Sequence, residues 1–160
     1  MRVRQIVKIM SQDVQDKFKK ILSVILLILW CLLIFYFSSQ NGDVSSSSSS
    51  HVIDFFNKLF SINLYEFKYS IIIVRKLAHM FLYFVLFLLS YNTSCNFKVK
   101  REYLYAFIFS LIYAITDEVH QLFIVERTFK IWDIVIDMFG SLIGVFVIKF
   151  INFLKLKWYN

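Results

Sequence analysis

Proline is absent and glycine occurs only three times in 160 residues. Few tight turns can therefore form, which argues against sheets built of hairpins and for long helices with short joins. Cysteine is nearly as scarce. Cys31 lies inside an apolar run, Cys95 lies in a polar stretch, and neither has a CxxC partner. This predicts free thiols, no disulfide framework and no cysteine-based structural metal site. A Gly-rich phosphate loop, a nucleophile elbow and an H-E-x-x-H segment are also missing, which sets aside the common soluble-enzyme chemistries.

The excess is in apolar residues. The chain is 59% hydrophobic and 19% aromatic, with a mean hydropathy of +0.64, where soluble domains run at about 45–50% apolar. Residues 21–37, 74–91, 103–124 and 131–151 form apolar runs, each approaching the roughly 20 residues that cross a hydrocarbon core. The first run is longer than a signal-peptide core and no A-x-A site follows it, so it reads as an uncleaved span. The expected fold is all-α: a polytopic membrane protein, a four-transmembrane-helix bundle with short amphipathic interfacial helices.

The net charge of +7 then reads as an excess of cytoplasmic cations attracted to anionic headgroups, with membrane lipids and not nucleic acid as the partner. Arg2, Arg4, Lys8, Lys17, Lys19, Lys20, Lys98, Lys100, Arg101, Lys149, Lys155 and Lys157 fall on one side of the four runs. They outnumber Lys58, Lys68, Arg75, Lys76, Arg127 and Lys130 on the other. The positive-inside rule places both termini in the cytoplasm of a multi-pass plasma-membrane protein.

The organisation is a basic arm over residues 1–20, a transmembrane domain over 21–151 and a basic tail over 152–160. In the arm, Val3, Ile6, Val7, Met10, Val14 and Phe18 recur at helical spacing. That pattern fits an amphipathic helix on the inner leaflet or a helical extension of the first span. Asn41-Gly42 and the run Ser45 to Ser50 are expected to form a flexible, solvated external loop. Val52, Phe55, Phe56, Leu59 and Phe60 then predict a short helix resting on the outer membrane face.

Ionisable residues inside apolar runs are the clearest functional signal, because a charge at the bilayer centre costs roughly 3 kcal/mol or more. On the second span, Lys76, His79, Tyr83, Leu86 and Ser90 share a stripe. On the third, Ser110, Ala114, Asp117 and Gln121 do, with Glu118 on the flank and His120 to the other side. On the fourth, Asp133, Asp137, Gly140 and Gly144 line up. Arg127 and Lys130 sit in the join before it. The topology brings all these polar groups to the outer half of the membrane. Gly140 and Gly144 form a G-x-x-x-G that lets a neighbouring helix approach. Lys76 or Arg127 paired with one of the acids would serve as a fastener, but the acids and histidines exceed what four helices need for fastening. Carboxylates beside a histidine suit acid–base work, Lys76 and Arg127 suit an anionic headgroup, and acids with a histidine are also ligands for a divalent metal. No other cofactor is implied.

Arg75-Lys76-Leu77-Ala78-His79 followed by Tyr83 resembles the R-K-x-A-H-x-x-x-Y pattern of VanZ-like membrane proteins. Asp117-Glu118-Val119-His120-Gln121-Leu122-Phe123 is similar to their D-E-x-x-Q-x-F block. Arg127, Asp133, Asp137 and Gly140 match their R-x5-D-x3-[ND]-x2-G spacing, and Phe37-Ser38-Ser39-Gln40 resembles their exit from the first span. The likeness covers residues 21–151. Two departures stand out. The family commonly has Pro-Gly before the arginine where this chain has Val125-Glu126, which alters a tight turn, and position 137, often Asn there, is Asp here. The resemblance implies a bacterial membrane protein with this topology and site, in a family named for low-level resistance to the glycopeptide teicoplanin. It implies no reaction.

Three functions fit these residues. The first is an intramembrane enzyme acting on an envelope lipid or lipid-linked cell-wall intermediate. In it His79, Asp117 and Glu118 do acid–base work, Lys76, Tyr83, Gln121 and Arg127 bind substrate, and Asp133 and Asp137 orient them or hold a metal. The second is a non-catalytic protein that binds such a lipid or a lipophilic antibiotic. The third is a proton-coupled transport component, against which no polar stripe reaches the cytoplasmic ends of the spans.

Overall fold

The computed structural model describes residues 2–159, with side chains from 12 to 158. It contains five α-helices: α1 (Arg2–Ser38), α2 (Gly42–Phe60), α3 (Ser70–Asn96), α4 (Glu102–Gln121) and α5 (Ile131–Tyr159), with a 3-10 turn at Leu64–Glu66. No strand occurs among the described residues. The turns are made without glycine. Ser61, Lys98, Arg101 and Glu126 all hold a positive φ, and no described glycine does. The glycines serve instead at contacts, as described below.

Three segments are long and apolar enough to cross a bilayer: Gln12–Ser38, Ser70–Asn96 and Ile131–Trp158. α4 is not among them. It has 20 residues, and Tyr103, Tyr105, Tyr113, Asp117, Glu118 and His120 lower its apolar content. The outward faces carry large apolar side chains such as Leu29, Phe146 and Phe153, at 56%, 63% and 60% exposure. A soluble monomer rarely exposes apolar patches on this scale.

α3 is the hub and packs against the other four helices, most extensively α5. Its inward face carries Leu82, Tyr83, Leu86, Phe87 and Ser90, all buried, and meets Ile34 of α1 and Ala114 of α4 in the main core. Side chains bond across the helices to backbone carbonyls: Trp30 Nε1 to Leu82 O at 2.9 Å, Tyr113 Oη to Cys31 O at 2.6 Å and Thr93 Oγ1 to Ser23 O at 3.3 Å. Their registers fix the directions. α1 runs antiparallel to α3 and parallel to α4. α3 and α5 run parallel, because Lys76 meets Asp133 and Phe87 meets Gly144. The bundle thus has one end holding Ser38, Lys76, Gln121 and Asp133, and an opposite end holding the N-terminal part of α1, the 97–101 turn and the end of α5.

Two expectations are corrected or resolved here. The serine run is helical, not a flexible loop. Asn41 Oδ1 caps α2 by accepting from Val44 N, and Ser46, Ser49 and Ser50 donate back to the carbonyls of Gly42, Ser45 and Ser46. A hydroxyl satisfied inside its own helix no longer competes for the backbone. Ser45, Ser49 and Ile53 are buried, and α2 packs on α3. The stretch beginning at Val52 is therefore the second half of one 19-residue helix. The N-terminal arm, for its part, continues the helix of the first apolar run without a break, so α1 has 37 residues and is about 55 Å long.

Candidate functional site

The site is set by how closely α3 and α5 approach. A Cβ added at Gly140 would collide with the Met80 carbonyl oxygen, and one at Gly144 would lie 2.6 Å from Phe87 Cδ1. Only a hydrogen fits between the two backbones at Gly140. With α3 and α5 parallel, this contact brings the residues just before it on the two helices face to face. Lys76 Nζ donates to Asp133 Oδ1 at 2.8 Å, and His79 Nδ1 lies 3.8 Å from Asp137 Oδ1. The second separation is too long for a hydrogen bond, and Asp137 Oδ1 is buried with no partner among the described residues. Ser141 Oγ ties the same stretch of α5 to Tyr83 O at 3.3 Å.

Above this contact lies a cleft of about 90 Å³, lined by Ile72, Arg75, Lys76, His79, Gln121, Arg127, Lys130, Asp133 and Ile136. Four cations thus surround a small space, with one carboxylate among them, already paired to Lys76. Arg127 reaches it from the α4–α5 join. Its Nη2 donates weakly to Phe37 O at 3.5 Å, and its buried Nε has no partner among the described residues. Burial first, and the like charge of Arg75 second, lowers the Arg127 guanidinium below its ordinary value. An anion entering the cleft would relieve both.

The acids of α4 stand behind the cleft. Glu118 is 1% exposed, and its Oε2 accepts from Lys130 N at 2.9 Å. It therefore holds a backbone donor at the start of α5, where a carboxylate is favoured by the helix dipole. Gln121 Nε2 donates to Ser38 Oγ at 3.2 Å and to Asp117 Oδ2 at 3.3 Å. This links α1 to α4 and covers the Asp117 carboxylate. His120 points away: its ring packs on Phe35, 4.6 Å between centroids, and its Nε2 lies 3.2 Å from Ser39 Oγ.

Of the residues singled out from sequence, His79, Lys76, Gln121, Arg127 and Asp133 line the cleft. Asp117, Glu118, Asp137 and Tyr83 are buried beside or beneath it, and Tyr83 Oη also lacks a partner among the described residues. Gly140 and Gly144 lie at the α3–α5 contact. Among the described residues no three His, Cys, Asp or Glu side chains are grouped as metal ligands. Sequence reasoning assigned no role to Arg75, Ser38, Ile72 or Ile136. Arg75 was visible as the first letter of its motif, and Ser38 as part of the polar exit from the first run. The altered turn also has a clear form. Glu126 adopts a φ of 64°, the left-handed conformation a glycine would supply, so Arg127 is delivered without one. Gly42 packs against it, since a Cβ at 42 would lie 3.2 Å from Glu126 Cβ.

The fold and site define an all-helical protein with three segments able to span a bilayer and a cationic cleft, backed by buried acids, at one end of its bundle. The chain belongs to the VanZ/LLP1 family, whose model matches residues 23–152. No curated protein and no solved structure matches it.

Proposed function

We propose that this is a four-span bacterial plasma-membrane protein, with both termini cytoplasmic, that binds the anionic headgroup of an envelope lipid or lipid-linked cell-wall intermediate at the outer leaflet. The observation that carries the reading is the convergence of Arg75, Lys76, Arg127 and Lys130 on one cleft, where the only carboxylate among the described lining residues is already paired. Guanidinium and ammonium groups are the usual partners of phosphate. The cleft's size supports a headgroup, since about 90 Å³ is well below the roughly 300–1,000 Å³ of pockets that enclose drug-sized molecules. A whole glycopeptide does not fit inside it. Parity supports the fourth span. α3 and α5 are spans running in the same direction, so the chain crosses back between them, and α4 is the helix in between. Its 20 residues reach about 30 Å, and its acids face the bundle instead of lipid.

The test is lipid identification by mass spectrometry of gently purified protein. A defined anionic lipid should copurify with the wild type and be lost from Arg127→Glu and Lys76→Glu, while Glu118→Gln keeps it. Copurification unaffected by both charge reversals would end the headgroup reading. A catalytic version rests on a separate observation: His79 lines the cleft with buried Asp137 behind it at 3.8 Å, a pair that would orient the imidazole for proton transfer once the gap closes to hydrogen-bond reach. If it holds, His79→Gln retains the copurifying lipid but accumulates it unchanged. The family's name connects the reading to teicoplanin. Deleting the chain should then lower teicoplanin tolerance, and Arg127→Glu should fail to restore it.

A further inference from the structure

The opposite end of the bundle carries a second feature, which none of the site residues touches. A groove of about 430 Å³ runs along α1 beside the end of α3, lined by Lys17, Lys20, Ile21, Val24, Ile25 and Phe97. Its volume falls within the roughly 300–1,000 Å³ usual for small-molecule sites. Its walls are apolar throughout, and Lys17 and Lys20 stand at one end of it. Lys20 Nζ lies 5.7 Å from the centre of the Phe97 ring, so one ammonium is held at the lip where the ring begins. The adjoining 97–101 turn adds Lys98, Lys100 and Arg101, of which Lys98 and Arg101 are fixed in left-handed corners. The nearby acids are Asp13, which pairs with Lys17 at 2.9 Å in an exposed contact, Asp16 and Glu102. Lys17, Lys20 and Ile21 precede the stretch matched by the family model, so membership of the family does not account for them.

We infer that this groove binds one anionic phospholipid of the leaflet opposite the cleft, its phosphate between Lys17 and Lys20 and one acyl chain lying along Ile21, Val24, Ile25 and Phe97. Charge complementarity selects the occupant. A partner helix would fill the apolar walls but would have no use for two ammonium groups at the mouth. A zwitterionic lipid would fill the same walls and bring its own cation against them. From Lys17 to Ile25 the helix rises about 12 Å, so the lysines lie at headgroup level when Val24 and Ile25 lie among the acyl chains. Long ammonium side chains take that position at a membrane boundary.

The test places a reporter in the groove. Phe97→Trp in the full chain, with wild-type emission subtracted, is reconstituted into phosphatidylcholine nanodiscs and titrated with brominated phosphatidylglycerol or brominated phosphatidylcholine. Expected is stronger quenching by the phosphatidylglycerol. The preference should fall about fivefold for each of Lys17→Gln and Lys20→Gln, as one lysine near a charged headgroup implies. Lys20→Glu should reverse it. Lys17 is exposed and Lys20 partly so, and circular dichroism of each variant checks that helicity is kept. Equal quenching by the two lipids would reduce the groove to ordinary annular contact and overturn the inference. Absence of quenching by either would mean that protein fills the groove, which overturns it equally. Either result leaves the headgroup reading of the cleft untouched, because that rests on Arg127 and Lys76.

Discussion

The two ends of this bundle solve opposite problems. At one, Lys76, Asp133, His79, Asp137, Glu118 and Gln121 are packed around a small polar cleft, and the fit depends on two helix backbones meeting at Gly140. At the other, the groove beside Lys20 is larger, apolar and open, and its charged neighbours are mostly lysines. The first end has many groups whose positions are fixed by one another. The second has few, and tolerates change. Unsatisfied buried polar atoms accordingly collect at the first end, where Arg127 Nε, Asp137 Oδ1 and Tyr83 Oη have no partners among the described residues, whereas left-handed corners occur at both, Glu126 at the first and Lys98 and Arg101 at the second. Such costs are common at functional sites, which supports the proposed site at the first end.

The largest effect expected from breaking the contrast is at Gly140. Gly140→Leu would drive a side chain into the Met80 carbonyl, which is backbone and cannot swing aside. The cost should exceed the roughly 1–3 kcal/mol of ordinary overpacking, and detergent-purified protein should lose its cooperative thermal transition. Val24→Leu in the groove should leave the transition unchanged, and a comparable loss there would erase the distinction between the ends. Next is Glu118→Ala, which leaves Lys130 N without its acceptor at the head of α5. It should cost about 1–3 kcal/mol by thermal or chemical unfolding, whereas Glu118→Gln keeps an acceptor oxygen and loses clearly less.

Glu126→Gly should act in the other direction. It keeps the left-handed conformation but removes the cost of about 1 kcal/mol that a non-glycine residue bears there, so the melting temperature should rise with the cleft intact. A fall would show that the Glu126 side chain contributes more through its contact with Gly42 than its backbone costs. The smallest effect is that of the Lys76–Asp133 pair. Its side chains are 40% and 22% exposed, so a double-mutant cycle with Lys76→Ala and Asp133→Ala should give a coupling of only about 0.5 kcal/mol. A coupling several times larger would mean that the pair is shielded from solvent and screened far less than its exposure implies.

Much of this arrangement was legible in sequence because helical spacing carries it. His79 and Tyr83, Asp117 and Gln121, and Asp137, Gly140 and Gly144 each mark one face, and each of those faces is turned inward. What spacing could not carry was where a side chain's bond would go. Six serines in a row look like a loop until three of their hydroxyls are seen bonding to carbonyls four residues back in the same helix. Glu118 looks like a second acid beside Asp117, but the return of the chain through 122–130 puts the Lys130 amide against it. The continuity of α1 through its basic arm was equally undecided, because amphipathic spacing is the same whether a helix lies flat or runs on.

Trp30 offers a spectroscopic handle on this molecule. Its indole N–H is bonded to the Leu82 carbonyl, and its ring packs against the core, whereas Trp132 and Trp158 are 74% and 86% exposed. The blue edge of the intrinsic fluorescence should therefore come from a single indole lodged between α1 and α3. Parting of those two helices, which breaks the Trp30–Leu82 bond, can then be followed as a change in that emission, with no dye attached and no residue replaced.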